Sequence, residues 1–352
     1  MKSSSPSIGA DAAAEAMIGD GKHYVIMGRP ESGYSMKVWA AMRFKGIAHE
    51  WTARCLRNER LFKDNAKVQL IPLVFRPDGT ATQDSTPILE ELERDHPEPS
   101  LHPQDSSLRF LSELIEEYGD EWVNKLMFRA RWAEPPDQKN RGGTLARGML
   151  DGHPLRFFAP IVARFIVRRM IPRMSFAGAN QNNTPLLIDS FETLVEVLNT
   201  HLATRAYLLG ARPSFGDFGL WGQLHQCFID PSNKAILVHK GPSVVAWIER
   251  MLNPSVEGEF ETFDALAPTL RPLFAREIGP RFLAWDAANA EALRKEKPQT
   301  ELEMGNQLYF QKTFKYPAAT LGILKNKYAA ASGDSRLREF LEDTGCLPYL
   351  VS

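Results

Sequence analysis

The sequence predicts an α+β protein made of two unlike parts: a small strand-helix-strand, hairpin, helix unit, and then an all-helical domain. Three observations carry that prediction. The apolar run from His23 to Gly28 changes to helical spacing at Met36, Val38, Trp39, Met42 and Phe44, which is a strand followed by a helix. Pro77-Asp78-Gly79 is a tight-turn signal between Pro72 to Phe75 and Thr80 to Gln83, so those two runs pair back antiparallel. Beyond His96-Pro97-Glu98-Pro99 strand alternation disappears and only the helical period remains.

The elements follow in order. Residues 1–20 are Ser/Ala-rich and lack an apolar core of signal-peptide length, so they read as a flexible tail. Gly46 sits where a left-handed stop ends the first helix. Ile47 to Ala53 is a second strand and Glu59 to Asn65 a short helix. Ser85 is placed to cap a helix from Thr86 to Asp95. These make a first domain over residues 21–100. In the second, over 104–262, Leu108, Leu111, Leu114, Ile115, Tyr118, Trp122, Val123 and Leu126 define one long helix from about Ser106 to Trp132, which Pro135-Pro136 stops. Pro154 to Arg173 and Pro185 to Leu202 supply two more helices around a Gly/Asn-rich loop. Residues 263–352 form an extension of uncertain role: Pro280 to Lys295 and Pro317 to Tyr328 are helical in pattern, and Gln307 to Gln311 is a strand or a packed extended segment.

Composition narrows the function. The 42 basic and 43 acidic residues leave a net charge of −1, so no bulk field recruits nucleic acid or an acidic membrane. Cys55, Cys227 and Cys346 are odd in number and far apart, which argues against a disulfide framework and for a reducing, cytoplasmic location. No cysteine or histidine spacing suits a metal, and none is expected. Arg164, Arg168, Arg169 and Arg173 interrupt the apolar stretch from Phe157 to Met174, leaving it short of the roughly 20 apolar residues a span requires. That stretch reads as a buried or amphipathic helix.

Four motifs carry a resemblance: Pro30-Glu31-Ser32-Gly33-Tyr34-Ser35-Met36-Lys37-Val38, Ile71-Pro72, Asp84-Ser85, and Gly210 to Phe218 with its Ser214-x-x-Asp217 box. Over roughly residues 22–260 the chain resembles the cytosolic glutathione transferase superfamily, which implies a thioredoxin-like N-terminal domain followed by an all-helical C-terminal domain. The resemblance implies that Ser32 holds the catalytic position of the serine-type members. It also implies that Ile71-Pro72 is the family's cis-proline, and that Asp84-Ser85 receives the γ-glutamyl end of glutathione, with aspartate replacing the commoner glutamate. A homodimer and glutathione as co-substrate for a small electrophile follow from the same likeness, as does a lyase or isomerase variant of the reaction.

The chemistry those residues offer is specific. A free thiol ionises near pKa 8.5. A hydroxyl hydrogen bond to the thiolate contributes about 1.5 to 3 kcal/mol, or about one to two pKa units, and the helix N-terminus adds to it. Ser32 is the candidate donor, although serine in that place also simply caps a helix. Tyr34 and Ser35 are lesser candidates, Tyr34 as a wall residue and Ser35 on another face of the helix. A cis bond at Pro72 is expected to turn the Leu73 backbone toward the cysteinyl residue as an added strand would. Asp84 offers a carboxylate to the ligand's ammonium, and Ser85 a hydroxyl and N–H to its carboxylate. Arg29, Lys37, Arg57 and Lys67 are open candidates for the glycyl carboxylate. Trp122, Phe128, Arg129 and Trp132 are expected to form the electrophile wall. The competing expectation is a noncatalytic binding or regulatory protein on the same scaffold, with the extension as docking surface or lid.

Overall fold

The computed structural model of the protein describes residues 12–351. A short helix α1 (Ala12–Glu15) precedes β1 (Tyr24–Gly28), α2 (Gly33–Phe44), β2 (His49–Ala53), α3 (Glu59–Asn65), β3 (Leu73–Phe75), β4 (Ala81–Gln83) and α4 (Ser85–Asp95). The four strands form one sheet in the order β2-β1-β3-β4, parallel between β1 and β2 and antiparallel thereafter. β1 is buried along its whole length because both faces of the sheet are covered. Tyr24, Ile26 and Val74 face α2 and α4, while Val25, Met27, Leu73 and Phe75 pack with Phe62 of α3. Gly79 in the hairpin has φ +86° and Gly46 after α2 has φ +63°, conformations that glycine adopts without a Cβ clash.

Part of the expected tail is packed instead. Ala14 is buried, Met17 and Ile18 lie on the outer apolar cluster, and Glu15 accepts from Thr52 Oγ1 and Asn58 Nδ2. The Ser/Ala-rich composition masked these few apolar anchors; the tail before residue 12 lies outside the described residues.

The helical part begins with α5 (Ser106–Tyr118), a π-helical segment (Gly119–Val123) and α6 (Asn124–Ala133), which together occupy the span of the predicted long helix. Pro135 and Pro136 end that rod and also open a further helix, α7 (Pro135–Met149), because the first helical positions need no backbone N–H. A 3₁₀ turn (Pro154–Phe158), α8 (Ala159–Met170), a second 3₁₀ turn (Pro172–Ser175), α9 (Thr184–Leu202), α10 (Phe215–Ile229), α11 (Pro231–Lys240) and α12 (Pro242–Arg250) follow. α10 is the central helix. Ser214 and Asp217 form its capping box, and Asp217 also accepts from Leu208 N and Trp247 Nε1.

The extension contains α13 (Phe263–Leu273), a π-helical segment (Phe274–Leu283), α14 (Ala284–Arg294), a hairpin of β5 (Gln299–Met304) and β6 (Gln307–Lys312), α15 (Lys315–Ala331), α16 (Ser335–Asp343) and α17 (Leu347–Val351). It is not a separate body: Leu266, Phe274, Phe282, Trp285 and Tyr309 join the main core. Helix starts earlier than Pro280, at Phe263, where Pro268 and Pro272 inside α13 mask it in the sequence, and the strand character of β5 is masked by its mostly polar sequence, Gln-Thr-Glu-Leu-Glu-Met.

Candidate active site

The N-terminus of α2 is fixed from the helical domain. Gln226 Nε2 donates to the Pro30 carbonyl and Arg131 Nη1 to that of Glu31, each at 2.9 Å. Gly33 then packs against α10 so closely that a Cβ there would lie 2.7 Å from the Gly222 carbonyl oxygen. On the other side of the sheet edge, Ile71-Pro72 is cis and Asp84 takes φ +78° before α4. Asp84 occupies the N-cap position but makes no side-chain cap bond, and Ser85 is the first residue of the helix rather than its cap.

Between these elements and the α5 rod lies a cavity of about 480 Å³. Ile71, Pro72, Asp84, Ser85 and Thr86 line it together with Glu117, Asp120, Glu121, Tyr34 and Tyr316, and the Ser85 and Thr86 hydroxyls each lie 3.4 Å from Asp120 Oδ2. Behind the wall, Lys37 is wholly enclosed. Its ammonium donates to Asp120 Oδ2 at 2.7 Å, Thr86 Oγ1 at 3.0 Å, Ser85 Oγ at 3.3 Å and also to Glu116. Burial opposes its charge, but the Asp120 and Glu116 carboxylates reverse this and hold its pKa above the usual lysine value. Asp120 is pushed up to about 7 by burial, against the pull of Lys37. Its other oxygen, Oδ1, is buried with no partner among the described residues. Burial likewise raises Glu121 to about 7 and Glu117 well above the carboxylate range.

A second cavity of about 540 Å³ shares Tyr34, Asp120, Glu121 and Tyr316 with the first. Phe128, Met170, Phe176, Trp285 and Phe314 make it largely apolar. Lys125 borders it, with Nζ 3.4 Å from the centre of the Trp285 ring, and burial lowers its pKa to about 7. The extension therefore lines both cavities: Tyr316 borders each, and its hydroxyl donates to Asp84 Oδ2 at 3.0 Å.

Ile71, Pro72, Asp84 and Ser85 come together on one wall. Ser32 caps α2, its Oγ accepting from Ser35 N at 3.2 Å; it is half-buried, lies beside rather than on the two cavity walls, and keeps its own proton unengaged among the described contacts. Tyr34 lines both cavities, but its hydroxyl donates to the Asp120 carbonyl at 2.8 Å and accepts from Asn124 Nδ2 at 2.5 Å. Burial and the nearby Asp120 raise its pKa well above the usual tyrosine value, so the hydroxyl stays protonated, but its proton is already given to the Asp120 carbonyl rather than free for a sulfur. Ser35 is fully buried beneath Gly28, its Oγ accepting from Arg29 N.

Several expectations need correction. Leu73 is buried between Met27 and Gln83 in the sheet, where its N–H and C=O face a neighbouring strand; the peptide bordering the cavity is the one before it, at Ile71. Trp122 and Trp132 are core residues: Trp122 bonds Ser190 Oγ and packs on Trp285 and Tyr309, and Trp132 is 1% exposed. Arg129 belongs to neither cavity wall, whereas Phe128 does line the second. Lys37 is unavailable to a glycyl carboxylate because its ammonium is enclosed. Arg57 and Lys67 are exposed, and Arg29 lines a separate groove with Arg54 that also reaches Ile71. Asp120 and Tyr316 were not foreseen, since no local signal ties either to Ser85.

A thioredoxin-like sheet joined to a helical domain, with a cis-proline and a helix N-terminus sharing one cavity, defines the class. The glutathione S-transferase N-terminal domain family matches residues 27–100 and its C-terminal domain family matches residues 157–250. On those two matches the chain belongs to the glutathione S-transferase superfamily. Among solved structures it is similar to the β-etherase LigF from Sphingobium sp. strain SYK-6, at 18% identity over 65% of this chain and 93% of that one, with a TM-score of 0.44. It is also similar to a glutathione S-transferase from Methylobacterium radiotolerans in complex with glutathione sulfonate, at 18% identity over 70% and 94% of the chains and a TM-score of 0.39. A third, from Methylobacillus flagellatus with glutathione bound, has 17% identity over 64% and 92% and a TM-score of 0.41. No curated protein matches the chain.

Proposed function

We propose that this protein binds glutathione in the cavity between Ile71-Pro72 and the α5 rod and activates its thiol for attack on a small electrophile. The observation that carries this reading is Asp120, whose carboxylate lines the cavity beside the Ser85 hydroxyl and whose Oδ1 is buried with no partner among the described residues. An orphaned buried acceptor is costly unless a ligand donor reaches it, and the γ-glutamyl ammonium is such a donor. Ser85 Oγ and the free N–H groups that open α4 suit the adjacent carboxylate. The Ile71 backbone offers a strand-like edge to the cysteinyl residue. The thiol then lies toward the start of α2, where the Ser32 proton and the positive end of the helix stabilise the thiolate. The electrophile belongs in the apolar second cavity, against Phe128 and Trp285. The same reading includes a homodimer in the cytoplasm.

A second reading has one observation in its favour: Ser32 stands off the cavity walls and serves as a cap, which suits a glutathione-binding protein without turnover. Ultraviolet absorbance of bound thiolate separates the two. The transferase reading predicts a thiolate signal whose pKa rises by about one to two units in Ser32→Ala, with a matching fall in turnover. An unchanged signal in the variant removes Ser32 from the mechanism.

A further inference from the structure

The segment from Pro154 to Phe176 differs from the rest of the surface. It runs through two 3₁₀ turns and α8, and no residue from 151 to 177 is buried. It exposes Leu155, Phe157, Phe158, Ile161, Phe165 and Phe176, with Phe157 79% exposed. Arg156, Arg164, Arg168, Arg169 and Arg173 lie among them, and no acidic residue occurs between Asp151 and Asp189. None of the five guanidinium groups forms an ion pair among the described residues, although Arg54, Arg76, Arg205 and Arg281 elsewhere all do.

The geometry of α8 sorts these side chains. Its inner side packs on α7, where a Cβ on Gly142 would meet Val167 Cγ2 at 2.7 Å and the Ala163 carbonyl oxygen at 3.2 Å. Ile161 and Phe165, 61% and 64% exposed, stand one turn apart, with Arg164 and Arg168 toward α7 and Arg169 toward the groove that Phe165 shares with Arg29 and Arg54. An apolar strip edged by unpaired arginines is the arrangement of a helix lying in a bilayer interface, its apolar groups at the acyl boundary and its guanidiniums at the phosphates.

We infer that this segment docks the protein onto the surface of an anionic lipid bilayer. A second copy of the chain is a poorer occupant, because an isologous contact would set five unpaired arginines against the same five. No helix among the described residues is long and apolar enough to cross a membrane, so the contact lies in the plane of the surface. The near-zero net charge concealed this face: its arginines are balanced by carboxylates elsewhere in the chain. Met170, Arg173 and Phe176, at the end of the segment, also line the second cavity, so the docked face borders the proposed electrophile site.

Cosedimentation of the full chain with phosphatidylcholine vesicles, with or without phosphatidylglycerol, tests the inference. Binding is expected only with phosphatidylglycerol and weakens with added salt. A triple variant Arg156→Gln, Arg164→Gln, Arg168→Gln should lose on the order of a hundredfold in vesicle affinity, at about fivefold per arginine. Phe157→Ser with Ile161→Ser should also detach the protein, while glutathione binding and the circular dichroism spectrum stay as in the wild type. Equal binding to both vesicle types, binding that neither variant weakens, or no binding overturns the inference. So does a wild-type dimer that the serine variant makes monomeric in sedimentation velocity, which would make this face a contact between copies.

Discussion

Acidification should release glutathione from this protein through Asp120. Its carboxyl is buried and pushed up to about 7. Only the ionised form can hold the γ-glutamyl ammonium at Oδ1. Between about pH 8 and about pH 6 the ionised fraction falls from about nine-tenths to about one-tenth, and apparent affinity scales with that fraction. Binding should therefore weaken about tenfold across that window, with the affinity present above the folded pKa and lost below it. S-methylglutathione, measured by calorimetry, removes thiol ionisation from the signal. Asp120→Asn should cost about 1.5 to 3 kcal/mol, the range for a hydrogen bond to a charged group, and should flatten the pH profile. An analogue lacking the γ-glutamyl amine should bind wild type and variant alike, with no pH slope, which isolates the pair in a double-mutant cycle. The free protein should respond in the opposite sense. Asp120, Glu121 and Glu117 are all raised by burial, so they bind protons more readily folded than unfolded. Fold stability should then rise as pH drops from about 7 toward about 4. A flat wild-type binding profile, or the same slope with the des-amino analogue, refutes the role given to Asp120.

Gly33→Ala should destabilise the protein by about 1 to 3 kcal/mol, the range for overpacking, despite alanine's better helix propensity, because the new Cβ meets the Gly222 carbonyl oxygen and Gln223 Oε1 at 2.7 and 2.8 Å; thermal melting checks this. Tyr316→Phe removes the hydroxyl held by Asp84 Oδ2 and should leave the melting temperature within a few degrees while speeding glutathione exchange at the cavity mouth, read by stopped-flow fluorescence. If Tyr316 is only a surface ornament, the exchange rates stay unchanged.

The parts of the fold that sequence resolves are those where short-range chemistry and tertiary packing agree. The switch of period between β1 and α2, the turn at Gly79 and the Ser214-Asp217 box each follow from neighbouring residues. Ile71, Pro72, Asp84 and Ser85 were visible for the same reason, since two short motifs carry them. Asp120 was not, because its place beside Ser85 comes from the π-helical segment packing on Lys37 of α2 and on Ser85 and Thr86 of α4 rather than from spacing. Tyr316 reaches Asp84 across 232 residues of sequence. Lys37 read as an available cation and proved to be a buried one, held by acceptors from α4, α5 and the π-helical segment that follows it. Trp122 and Trp132 lie on the core side of their rod, whereas half-buried Phe128 reaches the cavity, a distinction that helical period alone does not make.

A crystal structure of the protein grown with glutathione tests the central claim most directly. The account predicts density for the tripeptide with its γ-glutamyl ammonium on Asp120 Oδ1, its adjacent carboxylate on Ser85, its cysteinyl backbone paired with Ile71, and its sulfur turned toward the Ser32 hydroxyl. Tripeptide bound elsewhere, or a cavity that stays free of it at saturating concentration, contradicts the account.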